Sequence, residues 1–196
     1  HGIEMGGDPT REPPFFFMKP ADALQPVPGD RVAEHPYPPM TENYHFEIEM
    51  VVALKSGGRE IPVEKALDCV YGYAVGIDLT RRDLQAAAKK TGRPWDMAKG
   101  FDASAPMGAI RAVGDHGHVD TGEIRLAVNG DMRQQGQLDD MIWPVADCIA
   151  CLSTLVALAP GDLIFTGTPE GVGAVAKGDH LTGSIDGLAP VNITIG

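Results

Sequence analysis

The chain predicts an α+β fold: a large, mostly antiparallel sheet system with a few short helices. Strand-like stretches far outnumber helical ones, and the two do not alternate as parallel βαβ units would require. Turn residues punctuate the whole length, with 24 Gly and 16 Pro among 196 residues. That length fits one domain able to bury a substantial core. A hydrophobic content of 43% and a charged content of 22% are ordinary for a globular protein.

Residues 1–41 read as a Pro-rich arm of the same domain, and 42–196 as its main body. Pro9, Pro13, Pro14, Pro20, Pro26, Pro28, Pro36, Pro38 and Pro39 forbid a long helix in the arm. Phe15-Phe16-Phe17-Met18 predicts a short buried strand that anchors it. The part near Pro9 is expected to move, and residues 1–14 to act as a lid that closes when substrate binds. The chain opens on His1 rather than Met and reads as the interior of a longer protein.

From 43 to 55, the stretch Tyr44-His45-Phe46-Glu47-Ile48-Glu49-Met50-Val51-Val52 alternates and then turns apolar, which predicts a strand. Gly57-Gly58 turn it, and Glu60 to Val63 return. A short helix is expected over 64–69. Val70 to Ile77 is a Gly-punctuated strand that ends abruptly at Asp78. Thr80 then opens a helix as its cap, with Asp83 as the reciprocal acid. Leu84, Ala87 and Ala88 supply its apolar stripe, and Gly92 and Pro94 stop it. A Gly-punctuated stretch follows from Trp95 to Gly108. Residues 124–129 form a strand, Asn129-Gly130 a hairpin turn and Met132 to Gln135 its return. A helix is expected over 145–158 behind Pro144. Leu163 to Thr166 form a strand, followed by a Gly-rich loop over 167–173 and short closing strands.

A formal net charge of −11 and a pI of 4.8 argue against nucleic acid or an anionic membrane as partner. No apolar run approaches the roughly 20 residues that cross a bilayer, and no signal peptide is visible. An anionic small molecule stays open, because local cations can reverse the field inside one pocket. Cys69, Cys148 and Cys151 are too sparse for a disulfide framework, so a reducing, cytoplasmic setting is expected. Cys148-x-x-Cys151 reads as core packing, and His116 and His118 as a surface loop.

Chemistry concentrates on three carboxylates. Residues two apart on a strand share a face, so Glu47 and Glu49 project together while Phe46, Ile48 and Met50 face the other way. Two like charges 4 Å apart repel by about 4 kcal/mol at an effective dielectric near 20. A divalent cation shared with Asp78 removes that penalty, and all-oxygen ligation suits Mg²⁺, Mn²⁺ or Ca²⁺. The bland alternative is a solvated face of a half-exposed sheet.

Arg82 and Gln85, three apart on the next helix, share a face near these acids and suit a carboxylate or an oxyanion. Arg81, Lys89 and Lys90 read as solvated. Lys99 lies in a run poor in surface character and is expected to point inward. The loop Gly167-Thr168-Pro169-Glu170-Gly171-Val172-Gly173 lets backbone N–H groups approach a ligand, but lacks the Lys of a P-loop. His1 and Glu4 would face each other on a helix, as a general base and its orienting carboxylate.

Several stretches, taken in order, resemble the fumarylacetoacetate hydrolase family over nearly the whole chain. They are Glu4-Met5-Gly6, Phe16 to Pro20, Asn43 to Glu49, Gly72 to Gln85, Lys99 to Asp102, and Phe165 to Gly173. The resemblance implies a mixed β-roll or sandwich, with 42–196 as a catalytic domain working as a homodimer on a small 2-oxo acid. It implies Mg²⁺, with Mn²⁺ or Ca²⁺ as substitutes, held by Glu47, Glu49 and Asp78. It makes His1, Glu4 and Lys99 catalytic, and Arg82, Gln85, Lys99 and Thr168 substrate-binding. Phe46 stands where many relatives carry a second His. The activity implied is metal-dependent hydrolysis of a C–C bond in an acylpyruvate. An oxaloacetate decarboxylase or a 2-oxo acid isomerase on the same scaffold is the alternative within the family. A non-catalytic binding domain with a degenerate site is the alternative outside it.

Overall fold

The structure is a computed structural model and describes residues 13–196. His1 and Glu4, and with them the leading part of the expected lid, lie outside the described residues. In chain order the elements are β1 (Leu24–Pro26), β2 (Ala33–His35), β3 (Tyr44–Phe46), β4 (Ile48–Leu54), α1 (Val63–Ala66), β5 (Val70–Ile77), β6 (Thr80–Arg81), α2 (Arg82–Thr91), α3 (Asp96–Lys99), β7 (Ala105–Met107), β8 (Arg111–Ala112) and α4 (Val113–His116). There follow β9 (Glu123–Val128), β10 (Asp131–Gln137), α5 (Val145–Leu155), β11 (Leu163–Phe165), β12 (Gly173–Val175), β13 (His180–Ile185) and β14 (Val191–Ile195).

The strands form three sheets. One runs β1-β7-β5-β4-β11 with β8 against β5, the second β10-β9-β13-β14-β2, and the third is the small β12-β3-β6. Among the described residues only the arm's strands pair in parallel, β1 with β7 and β2 with β14; every other pairing is antiparallel. The α+β architecture with mostly antiparallel strands is therefore as the sequence predicts. Among the described residues, no helix is long and apolar enough to cross a membrane.

The pairing of β4 with β5 positions the chemistry. Both strands are buried on both faces apart from Tyr71. One face, with Phe46, Ile48, Met50, Val52, Tyr73, Val75 and Ile77, belongs to the main core. The opposite face carries a smaller apolar patch of Val51, Ala74 and Met107, with Leu24, Leu163 and Phe165 against it. Glu47 and Glu49 continue that second face by the period of two. Gly76 sits opposite Glu49, where a Cβ would come within 2.5 Å of both Phe165 and Val51 side chains.

Several local expectations need correction. Phe15 to Met18 form no strand, and Phe15 and Met18 are 71% and 69% exposed, with the Phe15 ring edge-on to Trp95 rather than in a core. The predicted 43–55 strand is two strands, interrupted at Glu47. Glu60 to Val63 do not return as a strand. Gly58 instead makes an isolated bridge with Leu158, and Val63 opens α1 behind Pro62. Thr80 does not cap a helix: it pairs with His45 in β6, and α2 begins at Arg82 without a side-chain cap. Asp83 turns back to the arm, accepting hydrogen bonds from Thr41 Oγ1 at 2.6 Å and from the Glu42 N–H at 2.9 Å. Ala87 is exposed, and Gln85 is the buried residue of α2. The helix expected to reach 158 ends at Leu155, where Val156 turns extended.

Other elements match closely. Val70–Ile77 is the strand expected, α1 and the 3-10 turn behind it cover the short helix of 64–69, and Gly92 ends α2 in the left-handed conformation at φ 63°. Asn129 and Gly130 take φ of 53° and 86°, the paired positive values of a tight hairpin. Cys148 is buried in α5, and all three cysteines are free.

Candidate metal centre

The β4–β5 ladder extends one residue beyond its named strands, because the Asp78 N–H donates to the Glu47 carbonyl at 2.8 Å. Asp78 thereby stands beside Glu47, on the face that Glu49 shares. The three acids each offer an oxygen such that all three oxygens lie within 4.8 Å of one another. Their exposures are 5%, 5% and 1% for Glu47, Glu49 and Asp78, so the solvated-face alternative does not hold.

Cations enter from separate segments. Lys99, at the end of α3, donates to Glu47 Oε2 at 2.8 Å and to Asp78 Oδ2 at 2.6 Å. Arg82, at the start of α2, donates through Nη2 to Glu47 Oε1 and through Nη1 to Gln85 Oε1 at 2.7 Å. Lys19, from the arm, places its ammonium 2.8 Å from Asp78 Oδ1. It is pinned by hydrogen bonds to the carbonyls of Leu79, Lys99 and Ser104 and to Ser104 Oγ. Glu49 stands apart from these cations, and its Oε2 accepts the Gly167 N–H at 2.8 Å. Gly167 reaches this position with φ at 97°, which glycine adopts without strain.

The charges sort the acids. Burial works to raise the Glu47 pKa, but the Lys99 and Arg82 charges outweigh it and hold Glu47 below its ordinary value. For Glu49, burial and then the charges of Asp78 and Glu47 all push the same way, well above the ordinary value. Burial lowers the Lys19 ammonium despite its Asp78 partner. On Lys99, the charges of Asp78 and Glu47 overcome burial and raise it. A divalent ion fits this set. Asp78 Oδ1 is buried, and its partner among the described residues is the Lys19 ammonium 2.8 Å away. An all-carboxylate donor set suits a hard cation. The raised Glu49 pKa marks a place where positive charge is missing.

The expected substrate groups gather around the acids. Lys99 commits two of its three N–H donors and keeps one. Gln85 is 4% exposed; Arg82 fixes its carbonyl oxygen, so its amide nitrogen faces away with both protons uncommitted among the described residues. Thr168 lies half-buried in the Gly-rich loop and accepts a hydrogen bond from Gln134 Nε2 at 2.8 Å. His116 and His118 are exposed, and His118 Nδ1 meets the Tyr73 hydroxyl at 2.8 Å rather than any metal cluster.

Two participants escaped the sequence reading. Lys19 carries the same signal that drew attention to Lys99, a lone cation beside an apolar run. Gln134 carries none, because it is one polar residue in the polar strand Asp131–Gln137. It is 1% exposed and ties three segments together. Its Oε1 accepts the Ile48 N–H at 2.9 Å, and its Nε2 reaches Thr168 Oγ1 and the Pro169 carbonyl, the latter at 2.9 Å.

Comparison with known proteins agrees with this geometry. The family description "Fumarylacetoacetate (FAA) hydrolase C-terminal" matches residues 1–195. A fumarylpyruvate hydrolase from Ralstonia sp is 44% identical over 189 residues, 96% of this chain and 96% of that protein. The crystal structure of fumarylpyruvate hydrolase from Pseudomonas aeruginosa, in complex with Mn²⁺ and pyruvate, is 51% identical and superposes with a TM-score of 0.97. It covers 100% of this chain and 84% of that one. A mitochondrial oxaloacetate tautomerase from Arabidopsis thaliana is 36% identical over 195 residues, 100% of this chain and 85% of that protein.

Proposed function

The chain belongs to the fumarylacetoacetate hydrolase family, and on that footing we propose that it hydrolyses a C–C bond of an acylpyruvate of the fumarylpyruvate kind, yielding pyruvate and a carboxylic acid in the breakdown of aromatic compounds. The observation that carries the reading is the buried cluster of Glu47, Glu49 and Asp78 with Lys99 and Arg82 already bonded to it. A divalent ion held by those three carboxylates would supply Lewis acidity toward the oxygens of a 2-oxo acid. Mg²⁺ is the ion proposed, with Mn²⁺ or Ca²⁺ as substitutes; the Mn²⁺ of the Pseudomonas enzyme supports the class.

The chain's own residues do the rest. Arg82 and the Gln85 amide orient the substrate's oxygens. Lys99 directs its remaining N–H at the oxygen that becomes negative when water adds to the distal carbonyl. His1, aligned by Glu4, takes the proton from that water, a role assigned by likeness to the family. Thr168 accepts from Gln134, so its own hydroxyl proton remains free to donate to the substrate. The bond to the methylene carbon breaks, the methylene carbon takes up a proton, and pyruvate and the acid leave. The family likeness also favours a homodimer, which light scattering on the eluting protein tests. A cytoplasmic setting accords with the free cysteines.

A second reading has its own support in the likeness to an oxaloacetate tautomerase: keto–enol isomerisation, or decarboxylation, of oxaloacetate at the same acids. Assay of Mn²⁺-loaded protein on fumarylpyruvate, by loss of ultraviolet absorbance and release of fumarate, separates the two. Fumarate formation that EDTA abolishes supports the hydrolase. Tautomer exchange or CO₂ release from oxaloacetate without fumarate formation would overturn it.

A further inference from the structure

The hydrolase reading places the pyruvoyl end of the substrate at the acids and leaves the far end unassigned. Two tracks leave the acids and meet at Lys89. The first is the face of α2. Arg82, Gln85 and Lys89 fall at i, i+3 and i+7, which share one side of a helix, and seven residues of helix span about 10 Å. Arg82 at the inner end bonds Glu47, and Gln85 is buried between. The second track is aromatic. The Lys99 ammonium lies 4.8 Å from the centre of the Phe17 ring, Phe17 and Trp95 have centres 6.2 Å apart, and the Lys89 ammonium lies 4.8 Å from the Trp95 ring. Lys89 was expected to be one more solvated lysine. It is exposed, as expected, and it also ends a row that begins at those acids; among the described residues no carboxylate lies within 4.0 Å of it.

We propose that Lys89 binds the far carboxylate of a dianionic acylpyruvate, with Phe17 and Trp95 flanking the flat unsaturated carbons between. The length fits a linear dioxo acid carrying carboxylates at both ends of an extended chain. Oxaloacetate, whose second carboxylate stands beside its own methylene, ends far short of Lys89. Acetylpyruvate has no far carboxylate at all. Partial burial and then the Arg82 charge lower the Lys89 pKa, while Glu47 raises it. Phe17 is 40% exposed and Trp95 half-buried, as the walls of an open channel would be.

The proposal rests on the hydrolase reading, and the test separates the two. Mn²⁺-loaded wild type, Lys89→Met, Lys89→Arg and the neighbouring Lys90→Met are assayed on fumarylpyruvate and on acetylpyruvate. The expected result is a KM for fumarylpyruvate raised at least about tenfold in Lys89→Met. The acetylpyruvate constants stay unchanged, Lys89→Arg largely restores the affinity, and Lys90→Met behaves as wild type. An unchanged fumarylpyruvate KM, or equal damage to both substrates, overturns the assignment. If wild type turns over neither compound, the hydrolase reading fails by itself. Lys89 is then judged by calorimetric binding of fumarylpyruvate: weakening of about tenfold in Lys89→Met supports its role, and equal affinity refutes it.

Discussion

Lys99 Nζ stands 2.6 Å from Asp78 Oδ2 in a pocket where Lys99 is 2% and Asp78 1% exposed. A charge pair this deeply buried gains its worth from being complete. Removing Lys99 leaves Asp78 with Lys19 alone and Glu47 with Arg82 alone, so the loss should approach, at most, the roughly 3–5 kcal/mol of a buried charge stripped of its partner. Lys99→Met should therefore lower the denaturant midpoint of metal-free protein by that order. Added Mn²⁺ should return part of the loss, since the ion supplies the positive charge that the lysine gave. Urea titrations with and without Mn²⁺ check this, and equal midpoints for variant and wild type would refute it.

Among the described residues Glu49 is the acid that lacks a cationic partner, so a bound ion would matter most to it. Glu49→Gln should weaken Mn²⁺ binding by at least about 100-fold, the upper end for losing support around a bound metal. The apo fold should be undisturbed or slightly firmer, because burial and the charges of Asp78 and Glu47 already disfavour the ionised form. Calorimetric titration of Mn²⁺ and thermal melts of EDTA-treated protein read the two effects separately. Retained affinity would exclude Glu49 as a ligand.

Gln134 holds the Gly-rich loop against the strand that carries Glu49. Gln134→Leu keeps the volume and removes all three bonds. The expected outcome is a fall in kcat/KM of about tenfold to 100-fold, of the size seen when supporting hydrogen bonds are lost, together with faster hydrogen exchange at Gly167. A variant with normal turnover and unchanged exchange would show that the loop holds its shape without it.

His35 offers a pH test away from the acids. The ring is buried between Gln25 Oε1 and the Tyr44 hydroxyl, each 2.7 Å away, and burial lowers its pKa from 6.5 to about 4. Above pH 6.5 the ring is neutral in both folded and unfolded chains and changes nothing. As pH falls from 6.5 to about 4, only the unfolded chain gains the proton, so stability drops by about 3 kcal/mol across that window and no further below it. His35→Gln should flatten this slope while lowering stability at pH 7. An identical slope in the variant would assign acid sensitivity elsewhere.

Gly76→Ala probes the floor beneath Glu49. The new methyl would meet Phe165 and Val51 at 2.5 Å in a packed layer. Overpacking of this kind costs about 1–3 kcal/mol, which thermal melts would register as a clear drop in Tm. An unaltered Tm would mean that the Phe165 ring turns aside freely.

The sequence by itself determined what neighbours along the chain determine. The period of two put Glu47 and Glu49 on one side, and the run Val70 to Ile77 delivered Asp78 at a strand's end. Asn129-Gly130 marked its hairpin, and Gly92 stopped its helix. These signals are local, because side-chain alternation and turn geometry depend on residues a few positions apart. Thr80 was misread for the same reason. Its capping signature is local, but pairing with His45 across β3 won. Only the tertiary structure decided which distant groups meet the acids. Lys19 comes from 59 residues before Asp78 and Gln134 from 85 residues after Glu49. Trp95 and Phe17 lie together although 78 positions apart. Such meetings are set by sheet pairing and core packing over long loops, where no repeating pattern along the chain records the partner.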